Sequence, residues 1–162
     1  MPLLSLFMSQ SAREMADSFH LFMNNVEEIA MSVIEGSDDE IVAKIQDQLM
    51  HGRDGKGHFL RDYADPDYAE FKRSLNPLGV TDWHLTGDFY AHMRVQIINK
   101  QSFHVYSNGR NYNNLLLNYG GEQMEEAMTM DNDSSNKFNE ERFHPRFVVL
   151  LAAATGAGIG NG

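Results

Sequence analysis

Between Trp83 and Ser107 the chain carries two runs that alternate apolar and polar residues at the period of a β-strand. In Met93-Arg94-Val95-Gln96-Ile97 the odd-numbered residues share one face, and Phe103 and Val105 share one face of the second run, Phe103 to Ser107. The polar stretch Ile98 to Ser102 between them has the length of a hairpin loop. A hairpin alone is marginal in water and needs helices against its apolar face. This is the strongest strand signal in the chain, so the sheet belongs here. Just upstream, Leu85-Thr86-Gly87-Asp88-Phe89 reads as a tight entry, with Thr86 placed to cap a short helical turn and Gly87 permitting positive φ or close backbone approach.

The rest of the chain supplies the helices. Ser11-Ala-Arg-Glu14 is a capping box, and behind it Met15, Phe19, Phe22, Val26, Ile29 and Val33 recur at spacings of four and three. With Ala16, Met23 and Ala30 widening that stripe, it predicts an amphipathic helix ending near Gly36 that faces a core or an oligomer partner rather than a narrow coiled-coil seam. Ser37 to Glu40 is a second capping box, opening a helix with Ile41, Val42, Ile45 and Leu49 on one face and closing at His51-Gly52. Gly52 to Gly57 is glycine-rich but lacks the lysine-hydroxyl ending and preceding strand of a phosphate loop, so it reads as a flexible polar connection. Asp65-Pro66 starts a short helix that stops before Asn76-Pro77. After the hairpin, Ser107-Asn108-Gly109 is a turn and Asn111 to Tyr119 a helix, with Tyr112, Leu115, Leu116 and Tyr119 on one side and Gly120-Gly121 ending it. Residues 121–135 carry no firm assignment. Asp131 to Ser135 lacks the glycine and glutamate of a calcium loop and predicts a Ser134 or Ser135 cap for a last helix kinked at Pro145. The chain thus divides into an N-terminal arm (1–10), one domain (11–154) and a glycine-rich tail (155–162), of fold class α+β: a small antiparallel sheet on the central hairpin, packed by a long N-terminal helix and C-terminal helices.

Composition limits what such a domain does. Net charge is −10, with residues 1–50 at −7, residues 51–112 at +1 and residues 113–162 at −4. That balance opposes sequence-specific DNA binding, which needs Lys and Arg against phosphate. The absence of cysteine removes a disulfide framework and a thiol nucleophile and fits a reducing compartment. No leader-like basic and apolar segment opens the sequence, and the longest apolar run, Phe147 to Ala154, is far short of a bilayer span, so a soluble, internal protein is expected.

Chemistry-bearing residues do not gather into a pattern. His84, Asp88 and His92 recur every fourth residue, but Gly87 and the strand onset at Met93 make a shared helix face, and hence a metal site, an unfavoured reading. No nucleophile elbow is present. The pairs Glu27-Glu28, Glu125-Glu126 and Glu140-Glu141 are sequence neighbours, which do not face one another on a helix. With no catalytic, cofactor-binding or metal constellation, the expectation is a non-enzyme that works by shape and contact.

The order of parts resembles a known family. Gln48 to Asp54, then Gly57-His-Phe-Leu-Arg-Asp-Tyr63, the Leu85-Thr86-Gly87-Asp88-Phe89 entry, the hairpin, and Leu115-Leu-Leu-Asn-Tyr119-Gly120 are similar to the tail-completion and neck proteins of tailed bacteriophages. These are relatives of the virion morphogenesis protein of Mu-like phages, and the likeness is greatest to versions from crAss-like and other Bacteroides phages. It covers about residues 10–150; past Gly120 the family runs hydrophobic, whereas Gly121 to Glu126 is acidic. The resemblance implies a virion protein, assembled in the host cytoplasm, that forms a homo-oligomeric ring at the head–tail junction. Its partners would be portal, connector or tail proteins, with genomic DNA passing nearby without specific binding and no membrane contact. An acidic surface suits such a channel, since sliding DNA must not be held by its phosphates. A minor capsid or scaffold-associated protein, or a small hydrolase or nuclease, are the alternative readings. Within the ring reading, Leu3, Leu4, Leu6 and Phe7 of the arm and the tail after Ala154 are expected to become ordered on adjacent subunits.

Overall fold

The computed structural model describes the backbone of residues 3–84 and 86–155 and the side chains from residue 12 onward within them. Its sheet is the expected hairpin: β1 (Met93–Asn99) pairs antiparallel with β2 (Ser102–Ser107), with Met93 opposite Ser107, Val95 opposite Val105 and Ile97 opposite Phe103. The connection is tighter than the expected five-residue loop. Ile98 sits in an irregularity of the ladder, Asn99 pairs with Ser102, and only Lys100 and Gln101 form the turn. The Asn99 side chain shapes it, its Oδ1 accepting from Gln101 N at 2.8 Å.

The inner face of the hairpin meets α2 (Asp38–Met50), whose Ile41, Val42, Ile45 and Leu49 are buried with Met93 and Val105. The capping box expected at Ser37 does not form, because its members are recruited elsewhere. Ser37 Oγ donates back to Val33 O (2.7 Å), and Asp38 Oδ1 accepts from Val95 N at 2.9 Å. Glu40 accepts from Arg146 Nη2 at 3.0 Å. Two carboxylates thus leave the helix end to tie it to the sheet and to the C-terminal helix.

Helix α1 runs Leu3–Glu35, beginning eight residues before the expected cap at Ser11. Residues 3–10 contain neither glycine nor proline and are mostly good helix formers, so nothing halts the helix there. The side chains of Leu3, Leu4, Leu6 and Phe7, and all of residues 156–162, lie outside the described residues. Among the described side chains of α1, those of its C-terminal third pack: Val33 and Ile34 are buried, and the hairpin turn holds on to Glu27 and Glu28 through Gln101 (2.6 Å) and Lys100 (2.7 Å). From Ala12 to Asn25 every side chain is exposed.

The remaining elements close the core. Between α2 and α3 (Pro66–Leu75), the glycine-rich segment is ordered and packed, not the flexible connection expected. Asp54 is buried and its Oδ1 accepts from Lys56 N and His58 N, both at 2.9 Å. At Gly55 any Cβ would stand 2.5 Å from Thr129 O, so the backbones touch. Asp65 caps α3 as expected, accepting from Tyr68 N at 2.9 Å. Past α4 (Asp88–Ala91) and the hairpin come α5 (Tyr112–Tyr119) and α6 (Gly121–Ala127). The latter is a helix the acidic sequence concealed, and it buries Met124 and Ala127, with Met128 just beyond. The last helical run is α7 (Asn132–Phe138), a π-helical turn Asn139–Phe143 and α8 (His144–Thr155). Its cap is Asp131, accepting from Ser134 N at 2.9 Å, rather than Ser134 or Ser135; a carboxylate there also suits the helix dipole. The irregularity expected at Pro145 takes the form of the π turn immediately before it, since proline has no N–H to give the preceding turn. Among the described residues no helix is long and apolar enough to cross a membrane.

Candidate functional site

The entry Thr86–Phe89 and the Tyr119-Gly120 ending, far apart in sequence, meet at one tryptophan. Gly87 has φ +77° and is itself the N-cap of α4, so the cap expected of Thr86 reduces to a 3.4 Å contact of Asp88 N with Thr86 Oγ1. A Cβ at Gly87 would meet only His84 Nε2 at 3.4 Å, so the position demands glycine for its conformation. Close approach occurs instead at Gly109, where a Cβ would lie 2.8 Å from Asp88 O. Asp88 Oδ2 accepts from Arg110 N (2.6 Å) and Ser107 Oγ donates to Phe89 O (2.7 Å), fastening the turn after β2 onto α4. Leu85 lies outside the described residues. Of His84, Asp88 and His92 only the last two come together, His92 Nδ1 lying 2.7 Å from Asp88 O and 3.5 Å from Asp88 Oδ1, while His84 stacks on Tyr90 with centroids 5.2 Å apart.

Trp83 is 3% exposed and has φ 56°, the positive-φ conformation that a bulky residue among the described ones adopts nowhere else. Its ring lies 6.2 Å from Phe89 and 4.9 Å from Tyr119; Tyr63 follows at 6.4 Å from Tyr119, and Tyr68 at 4.9 Å from Tyr63. Burial pushes the Tyr119 hydroxyl up to about 12, with the nearby Trp83 indole opposing that rise. Tyr63 and Tyr90 are raised by burial also. Gly120 turns the chain from α5 to α6 at φ 80° and ψ 162°, a region essentially reserved for glycine.

A buried polar network next to this cluster left no mark in the sequence pattern. Lys72, 1% exposed, donates to His84 O and stands 3.4 Å from Asp82 Oδ1. Asn76 Nδ2 donates to Asp82 Oδ2 at 3.1 Å, the Tyr90 hydroxyl donates to Asp82 O, and Thr81 Oγ1 donates to Asp62 Oδ1 at 2.7 Å. A lysine on a short, polar helix is expected to point outward, and the one sign against it is spacing, since Ala69 and Lys72 fall on the same buried side of α3.

The other conspicuous feature is an uncovered apolar surface on α1. Met15 is 73% exposed, Phe19 61%, Phe22 43% and Met23 39%. Beside the packed end of α1, α8 leaves Val148, Val149 and Leu150 exposed. The stripe read from the sequence as facing a core or a partner therefore divides, its C-terminal part facing the core and its N-terminal part facing solvent. Comparison of the chain with family models, with curated proteins and with solved structures found no match.

Proposed function

We propose that this protein is a structural component that assembles with copies of itself through α1, and that the assembly is a ring at the head–tail junction of a tailed phage. One observation carries the first part: the exposed stripe of α1 is free of charge on a chain of net charge −10. At helical periodicity Ala12, Met15, Ala16, Phe19, Phe22, Met23 and Val26 fall within an arc of about 120° that includes no charged residue, while Arg13, Glu14, Asp17, Glu27 and Glu28 lie outside it. Two acidic subunits repel in general, yet a neighbour's apolar surface meets this face without opposing like charges. An apolar area of this kind on a soluble protein marks a contact surface. A ring needs each subunit to offer two different surfaces, and α8 supplies a second apolar face beside the first.

The phage part of the reading rests on the resemblance in the order of segments alone. Its test is electron microscopy of particles from the producing host, with the chain traced in the map. Density for this fold as a closed ring between portal and tail supports the assignment. A chain found in the capsid shell, or in no particle, overturns it while leaving self-association through α1 to be judged by mass measurement.

A further inference from the structure

The hairpin has two edges, and only that of β1 is held by another element. Asn108 N donates to His92 O at 3.4 Å, and Val95 N donates outward to Asp38 Oδ1 at 2.9 Å. Up to Ile97, therefore, even-numbered residues bond across the ladder and odd-numbered ones turn their backbone groups away from it. The outward groups of β1 meet the start of α2. On β2 the outward N–H and C=O groups belong to Phe103 and Val105, and among the described residues nothing bonds to them. Two cavities lie here, one of about 570 Å³ lined by Phe103, His104 and Val105, the other of about 270 Å³ lined by His104, Val105 and Tyr106. Successive strand residues point to opposite faces, so a space that touches three in a row runs beside the strand. The core residues Ile41 and Ile45 also line the larger cavity, with Phe138, while Glu125 and Met128 line both.

We infer that this groove receives an extended segment of another protein, which adds to β2 as a third strand, sets apolar side chains at alternate positions on Ile41, Ile45 and Phe138, and brings a lysine or arginine to Glu125. The outward N–H and C=O groups of β2 recur every second residue, about 6.6 Å apart, a repeat that a second polypeptide backbone matches and an acyl chain does not. Alternation in the occupant follows from Val105. Its side chain enters the core beside Ile41 and Ile45, so a residue set opposite it on an added strand faces the same floor. Glu125 is exposed and is the one carboxylate lining either cavity, and no lysine or arginine lines them. Its carboxylate has no partner among the described residues. On a chain of net charge −10 this favours a basic occupant. The chain's own Gly156 to Gly162 offers one apolar side chain larger than alanine and no base, so it matches the groove poorly. Proteins usually cover or blunt an open strand edge, as Asp38 does for β1.

A random nonapeptide library displayed on phage would be panned against the full-length protein, and the enriched sequences synthesised and titrated by calorimetry. They should carry apolar residues at every second position together with a lysine or arginine, and on binding should slow amide exchange at Phe103 and Val105. Two versions of the best peptide, N-methylated at its odd or at its even residues, keep every side chain but block opposite edges of its backbone. One should bind at least about tenfold more weakly than the other, because it alone loses the bonds to β2. Glu125→Lys, at an exposed position, should weaken binding about tenfold without moving the melting temperature. The inference is overturned by a library that yields no binder, by apolar residues enriched at helical spacings of three and four, or by equal binding of the two methylated versions. Protection that appears away from β2, binding that Glu125→Lys leaves unchanged, or saturable binding of dodecanoate where no peptide binds also overturns it.

Discussion

Replacing Phe19 and Phe22 together by alanine separates the role of α1 in the subunit from its role between subunits. Phe19 is 61% exposed and Phe22 43% exposed in the isolated chain. A fully buried phenylalanine is worth up to about 3 kcal/mol, so the area still open to a partner corresponds to about 1.8 and 1.3 kcal/mol respectively. In a ring each contact buries this face once, about 3 kcal/mol in all; if the partner covers half of that area, the loss is about 1.5 kcal/mol. At 1.4 kcal/mol per decade the dissociation constant of each contact should rise by roughly 10-fold. Within the subunit the same change should cost less than about 0.5 kcal/mol, because nothing packs on α1 there and alanine is the better helix former. Sedimentation velocity across a range of concentrations reads the first effect and circular dichroism melting reads the second. A variant that associates like the wild type refutes the assignment of this face, and one that melts several degrees lower shows that the phenylalanines pack within their own chain.

Gly87→Val and Gly120→Ala should each destabilise by about 1–3 kcal/mol on chemical denaturation, since both force a side chain into a positive-φ region; melting within a degree of wild type would contradict this. Lys72→Met should cost about 3–5 kcal/mol by leaving Asp82 buried without its cation, and adding Asp82→Asn should recover part of that loss in the same denaturation assay. Gln48→Leu should cost about 1–3 kcal/mol and raise amide exchange at Asp131. The buried Gln48 amide donates to Thr129 O at 3.0 Å and accepts from Asp131 N at 2.9 Å, so the change orphans both groups. Replacing His84, Asp88 and His92 by alanine together should leave self-association intact in sedimentation, while loosening the turn that Asp88 holds at Arg110.

The hairpin, α2, α3 and α5 were legible because each is specified by local rules: alternation at Met93–Ile97, a stripe at Ile41–Leu49, Asp65-Pro66, and the helical spacing of Tyr112, Leu115 and Tyr119 before Gly120. What escaped is decided by contacts distant in sequence. Asp38 and Glu40 look like a helix cap until β1 and Arg146 compete for them. Met124, Ala127 and Met128 occupy one side of a helix too short to stand out among acids, and Gln48, remote in the chain, pins its end. Gly52 to Gly57 reads as loose because its partner, the Thr129 carbonyl, lies on a segment with no assignment of its own. The α1 stripe was visible throughout, but periodicity cannot tell which part of an apolar stripe faces its own core and which faces another molecule. The Trp83 cluster was the least accessible of all, since it is assembled from α4, α5, the start of α3 and two connecting segments.

Native mass spectrometry of the purified full-length protein, recorded at micromolar to tens of micromolar concentration, tests self-assembly through α1 most directly. A single closed oligomer that dissociates in the Phe19→Ala/Phe22→Ala variant is the predicted result. A monomer across the whole range, with the α1 face open to solvent, would contradict it.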